Sequence, residues 1–258
     1  MSVTLFDTHA HYDSHKFDAD RDEVLSALPG LGVELVVNPG CDLESSGQAV
    51  GLAERYPFVY AAVGVHPEDC GDWKDGDAEE LRALAARPKV VAIGEIGLDY
   101  YWPENPPRAL QQRVFRAQMA LARELGLPVI VHDREAHGDS LDIVREFPEV
   151  RGVFHCFSGS AEMARELVRL GWMISFTGVL TYKNARKAVE AAQAVPLNRL
   201  MIETDSPYMA PVPHQGERNH SGNVAHICRR LAELKGLALE QCSKVTLENG
   251  RRFFRIGE

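Results

Sequence analysis

Two imidazoles stand close to the start of the chain, in Asp7-Thr8-His9-Ala10-His11, at the end of an apolar run. Side chains alternate along an extended strand, so His9 and His11 share a face and Ala10 points away. Paired imidazoles at a strand end are an economical beginning for a metal site. The same residue types recur after later apolar runs: Glu95 in Gly94-Glu95-Ile96-Gly97, His132 before Asp133-Arg134, His155 before Cys156-Phe157, and Asp205 before Ser206-Pro207. Each has an ordinary explanation when taken singly. A histidine at a strand end meets solvent or a backbone partner, a glutamate caps the next helix, and Asp-Ser-Pro makes a turn. Recurrence at successive run ends marks His9, His11, Glu95, His132, His155 and Asp205 as one ligand set. Four imidazoles and two carboxylates exceed what one ion takes from protein. They suit two divalent ions bridged by a carboxylate and a water, and Glu95 is central among them. The imidazoles favour zinc or manganese over magnesium.

Other polar residues near the run ends have secondary readings. His66, in Gly64-Val65-His66-Pro67, is a candidate substrate contact. Cys156 follows His155, and alternation turns it toward the helices as a buried thiol. Asp7 shares a face with His9 and His11, one step deeper. It either orients an imidazole or makes a structural hydrogen bond.

The elements that position these residues follow from the hydrophobic pattern. Short apolar runs cover 3–8, 33–38, 58–65, 90–95, 128–132, 152–155, 172–176 and 200–203. Amphipathic stretches lie between them. In the clearest, 108–125, Leu110, Val114, Met119, Leu121 and Leu125 recur at helical spacing and Gly126 closes the helix. Eight strands alternating with helices predict an α/β fold, a single (β/α)8 TIM barrel over residues 1–258, with its chemistry at the strand C-termini. A doubly wound open sheet would want a glycine-rich phosphate loop, and the chain has no G-x-G-x-x-G or Walker sequence. The stretch 206–222, rich in Pro, Gly and His, follows the last strand and is expected over the barrel mouth.

Composition narrows the class. The chain has 258 residues and a net charge of −9, which argues against nucleic-acid or membrane binding through bulk charge. A local basic patch, or ions inside a cleft, would still recruit a phosphate. Cys41, Cys70, Cys156, Cys228 and Cys242 form no C-x-x-C pair and read as scattered thiols of a reducing compartment. With a core-like first run and no membrane-length apolar segment, the expected location is the cytoplasm.

Taken together, the motifs resemble the TatD family of metal-dependent deoxyribonucleases. The resemblance is carried by DTHAH at 7–11, GVHP at 64–67, GEIGLDYY at 94–101, VIVHDREA at 129–136, HCFSGS at 155–160 and ETDSPYMAP at 203–211. Gln112, Phe115 and Gln118 fit the family's helix pattern, as do Val245, Thr246, Asn249 and Phe253 near the end. The resemblance implies a two-metal hydrolase of phosphodiesters, chiefly DNA, acting from the 3′ end. It implies that His9, His11 and Asp205 hold one ion and His132 and His155 the other, with Glu95 bridging and Glu203 available to a further ion. One departure follows the last strand. The family commonly reads R-G-K-R-N-E-P there, and this chain reads Gln215-Gly216-Glu217-Arg218-Asn219-His220-Ser221, losing two basic positions.

The chemistry expected of such a site is hydrolysis by metal-activated water, with Asp205 orienting the water and accepting its proton. Arg218 and Lys183 are candidate phosphate contacts. The segment Tyr100-Tyr101-Trp102, just past Glu95, either stacks a base or packs as a lid. Two other readings exist. An amidohydrolase-like barrel, such as a D-aminoacyl-tRNA deacylase, shares H-x-H and the later ligands. Many such barrels bridge their ions with a carboxylated lysine at strand four, where this chain has Glu95. A closed structural zinc site would take four ligands, often Cys, rather than six without Cys.

Overall fold

A computed structural model describes residues 3–74 and 76–257. Its eight strands are β1 (Leu5–Asp7), β2 (Val33–Pro39), β3 (Val59–Val63), β4 (Val90–Asp99), β5 (Val129–Arg134), β6 (Gly152–Phe154), β7 (Met173–Phe176) and β8 (Leu200–Ile202). They form one sheet in chain order, and the strand pairs are parallel. Among the described residues nine α-helices follow: α1 (Arg21–Ala27), α2 (Leu43–Arg55), α3 (Asp77–Ala85), α4 (Arg108–Leu125), α5 (His137–Arg145), α6 (Ala161–Arg169), α7 (Arg186–Ala194), α8 (Val224–Lys235) and α9 (Leu239–Phe254). This is the (β/α)8 barrel expected from the alternation of runs. Within the described residues no helix is long and apolar enough to cross a membrane.

The chain packs as two compact units. The first holds residues up to 38, 156–169 and 173 onward, and so β1, β7, β8 and β2 up to Asn38. The Thr8 N–H and hydroxyl both donate to Ile202 O, at 3.3 and 3.0 Å, tying the end of β1 to β8. Beneath them lies α9. Phe6 of β1 meets Phe254 with ring centroids 6.0 Å apart. Gly250 lets the helix approach, since a Cβ there would come within 2.5 Å of the Phe6 ring. Asn249 donates to Leu197 O and Leu200 O, both at 2.8 Å, fixing the start of β8. Thr246 is buried and donates to Cys242 O at 3.0 Å.

The second unit, 39–155 with 170–172, holds β3 to β6. Its longest helix, α4, ends at Gly126 with φ +65, the left-handed cap that glycine supplies without strain. The buried face of α4 carries Val114, Phe115, Met119 and Leu121, but also two buried glutamines. Gln118 accepts from Val65 N at 2.7 Å and donates to Val65 O at 2.9 Å. Gln111 does the same to Asp99, accepting from its N–H and donating to its carbonyl, both at 2.9 Å. Each amide completes a backbone pair that would otherwise be buried unpartnered. α4 therefore pins the segment before His66 and the end of β4.

Strand limits differ from the apolar runs. β1 ends at Asp7, but Ala10 bridges to Ser206 in parallel and His11 N–H donates to Ser206 O at 2.6 Å, so the chain stays extended through both histidines. β4 continues to Asp99 and β5 to Arg134, past the ends of their apolar runs.

Candidate functional site

Each unit gathers polar side chains at strand C-termini. In the first unit the His9 and His11 rings stand 4.8 Å apart, with Nε2 atoms separated by 2.9 Å. Asp205 Oδ1 lies 3.7 Å from His9 Nε2 and 3.6 Å from His11 Nε2. All three residues are buried.

A hydrogen-bonded frame holds Asp205 in place. Its backbone takes φ +56, in the left-handed region, and its N–H donates to His9 O at 2.9 Å. Asp7 accepts the Thr204 N–H at 2.8 Å and the Thr204 hydroxyl at 2.5 Å, while the His9 N–H reaches it at 3.4 Å. Burial pushes the Asp7 carboxyl up to about 7. Of the two readings open for Asp7, these bonds are the structural one. The fully buried Asn219 donates to Thr204 O at 3.0 Å and Tyr208 O at 2.7 Å, closing the loop around Asp205. Glu203, also buried, accepts the Cys156 N–H at 2.5 Å, and one of its donor atoms lies within 4.8 Å of one of His9.

In the second unit, imidazole nitrogens converge on Glu95 Oε1: His155 Nε2 at 2.7 Å, His132 Nδ1 at 3.0 Å and His66 Nε2 at 3.4 Å. A register irregularity in β4, between Ile93 and Ile96 opposite Val129 and Val131, sets Gly94 and Glu95 against a single residue of β5. Such a bulge re-aims the side chain it carries. Gly97 adds a close approach. Its φ is +138, and a Cβ there would lie 2.0 Å from His132 O.

The other face of His132 meets Asp99, a fully buried carboxylate whose Oδ2 lies 2.8 Å from His132 Nε2. Asp99 Oδ1 accepts from Tyr101 N at 2.9 Å and Asn105 Nδ2 at 3.1 Å. Burial opposes charge on His132, but the bonds to Asp99 and Glu95 outweigh it and push its pKa up to about 9. Asp99 is held below the ordinary carboxylate value, because the His132 hydrogen bond and charge outweigh burial. Burial, reinforced by His132, pulls His66 below the usual histidine range.

These donor sets fit divalent ions. His9, His11 and Asp205 can each offer one atom with all three within 4.8 Å of one another, and so can His66, Glu95 and His132. Nitrogen and carboxylate donors at that spacing suit zinc or manganese. An imidazole flanked by two carboxylates draws either a proton or a cation, so ion binding there displaces a proton.

The remaining expected residues fall as follows. His66 stands against Glu95, with Nε2 3.4 Å from its Oε1. Cys156 is half-buried rather than buried, because β6 ends at Phe154 and alternation does not reach it; its φ is +41 and its Sγ lies 3.4 Å from Thr177 Oγ1. The Tyr100 hydroxyl donates to Asp139 Oδ2 at 2.8 Å and accepts from Gln112 at 2.9 Å. Lys183 is exposed just past the turn Gly178–Thr181. Arg218 pairs with Asp20, with both guanidinium amines on its carboxylate and one also on Lys16 O at 2.7 Å. Asp99, Thr204 and Asn219 are supporting residues that ligand-type spacing does not single out; their signal is a polar side chain close in sequence to a ligand candidate or its loop.

A (β/α)8 barrel with histidine and carboxylate clusters at its strand ends defines a metal-dependent hydrolase. The chain belongs to the TatD family: residues 6–255 match the model described as TatD related DNase. It is 43% identical over 254 residues to the uncharacterized metal-dependent hydrolase YabD of Bacillus subtilis, covering 98% of this chain and 99% of that one. It is 35% identical over 262 residues to the 3′-5′ ssDNA/RNA exonuclease TatD of Musicola paradisiaca, covering 98% and 99%. The crystal structure of YJJV, a TatD homolog from Escherichia coli K12, superposes with a TM-score of 0.93 at 32% identity, covering 99% of this chain and 100% of that one.

Proposed function

We propose that this hydrolase cleaves phosphodiesters of single-stranded DNA or RNA from the 3′ end, with two divalent ions as cofactors. One ion belongs to His9, His11 and Asp205, the other to Glu95, His132 and His155. The observation that carries the reading is the pair of donor sets, one built on Asp205 and one on Glu95. The naming of the Musicola paradisiaca relative as an exonuclease supports the choice of substrate. When bound, the ions supply the positive charge that acidifies water and neutralises non-bridging phosphate oxygens. Asp205, fixed by Thr204 and Asn219, orients the attacking water and accepts its proton. Asp99 holds His132 with Nε2 protonated, leaving Nδ1 as the donor atom.

The test presents purified protein, before and after chelation, with 5′- and 3′-labelled single-stranded DNA, RNA and D-aminoacyl-tRNA. Stepwise metal-dependent shortening of 5′-labelled strands supports the reading. Deacylation of the aminoacyl-tRNA with intact DNA replaces it with the esterase alternative.

A further inference from the structure

Beyond Asp99 the chain turns two large aromatic side chains outward, Tyr101 at 49% and Trp102 at 43% exposed. Their rings stand edge to face with centroids 4.6 Å apart. The Arg134 guanidinium lies 3.8 Å from the Tyr101 centroid and 5.4 Å from that of Trp102. Its charge helps to hold the buried Asp99 carboxyl below the ordinary carboxylate value. An exposed aromatic pair with a guanidinium over it is complementary to a flat, electron-rich ring joined to an anion.

The cluster is fixed in position. Asp99 takes the Tyr101 N–H on one oxygen and His132 on the other. Arg134 O accepts the Tyr100 N–H at 2.9 Å, and the Tyr100 hydroxyl is held by Asp139 and Gln112. Arg134 follows His132 by two residues on β5, so it shares that face about 7 Å farther along. One carboxylate thus sets the distance between the Glu95 cluster and the aromatic pair.

We propose that Tyr101, Trp102 and Arg134 form a platform on which an unpaired base of a single-stranded nucleic acid stacks, with Arg134 meeting an adjacent phosphate. The inference rests on the phosphodiesterase reading, which puts a strand at the Glu95 cluster. Aromatic faces accept any base, so the platform selects strandedness rather than sequence. A duplex keeps its bases stacked on each other and gains little there.

The test uses the metal-loaded protein and a fluorescent, cleavage-resistant phosphorothioate oligothymidylate, read by anisotropy. The Y101A/W102A variant, checked by circular dichroism for an intact fold, binds about tenfold more weakly. An abasic strand of equal length binds the unaltered protein about as weakly. R134Q lowers the salt dependence by about one phosphate contact. An affinity within twofold in Y101A/W102A, or equal binding of the abasic strand, overturns the platform. Binding is read without turnover, so the two readings fail separately. Platform-dependent binding with no diester cleavage sinks only the phosphodiesterase, and cleavage with platform-independent binding sinks only the platform.

Discussion

Replacing Asp99 by asparagine changes one atom and tests how the Glu95 cluster is held. Asp99 Oδ1 accepts from the Tyr101 N–H and from Asn105, both donors. The amide oxygen of an asparagine is therefore claimed on that side, and its NH2 is left facing His132 Nε2. An NH2 there turns Nε2 into an acceptor and moves the ring proton to Nδ1, the nitrogen 3.0 Å from Glu95. A protonated Nδ1 cannot donate its lone pair to an ion. Loss of such an outer partner weakens metal binding about 10- to 100-fold, which is about 1.4 to 2.7 kcal/mol. The size agrees with about 1.5 to 3 kcal/mol for a buried hydrogen bond to a charged group. The assay is zinc competition with a chromophoric chelator, without substrate. Asp99→Asn is expected to show one weakened ion and one of unchanged affinity, the latter at His9, His11 and Asp205. Two unchanged affinities in a folded variant would refute the assigned tautomer.

His9→Ala and His132→Ala each lose one ion of two, read by elemental analysis after gel filtration; loss of both from either variant means the donor sets are not separate. Chelation abolishes hydrolysis and added manganese or zinc restores it, and full activity after complete metal removal counts against the mechanism. Gly97→Ala forces a Cβ to within 2.0 Å of His132 O at φ +138, so urea unfolding should show a loss of about 3 kcal/mol. Gln118→Ala leaves the Val65 N–H and carbonyl without their partner, a loss of about 3 kcal/mol on the same assay. Arg218 holds the Asp20 carboxyl below its ordinary value of 3.8. The stability this brings is complete above that pH and drains as pH falls through the lowered value, so Asp20→Asn flattens the acid limb of thermal unfolding.

The barrel was legible because each strand opens on an apolar run and each run is followed by an amphipathic stretch. Strand ends were not legible. β4 carries Glu95 and Asp99 inside the ladder, where composition alone stops it at the first carboxylate. The ligand candidates stood out because histidines and acids recur at the ends of unrelated runs. Their supports did not, because a glutamine or asparagine in a buried place has meaning only through its partner. Gln118 finds Val65 at a separation of 53 residues, and Asn219 finds Thr204 across a loop. The pairing of Arg218 with Asp20 was equally hidden, because the two lie 198 residues apart in sequence.

The segment that bears His9 and His11 and the residues that support it are far apart in sequence, 197 residues between Asp7 and Thr204. Thr204, Asp205 and Asn219 frame the two histidines, and α9 closes beneath them with Gly250 against Phe6 and the Ser243 hydroxyl on Thr4 O, 239 residues away. Order at the two histidines is therefore a product of long-range pairing, which costs more loop-closure entropy and forms more slowly than local contacts.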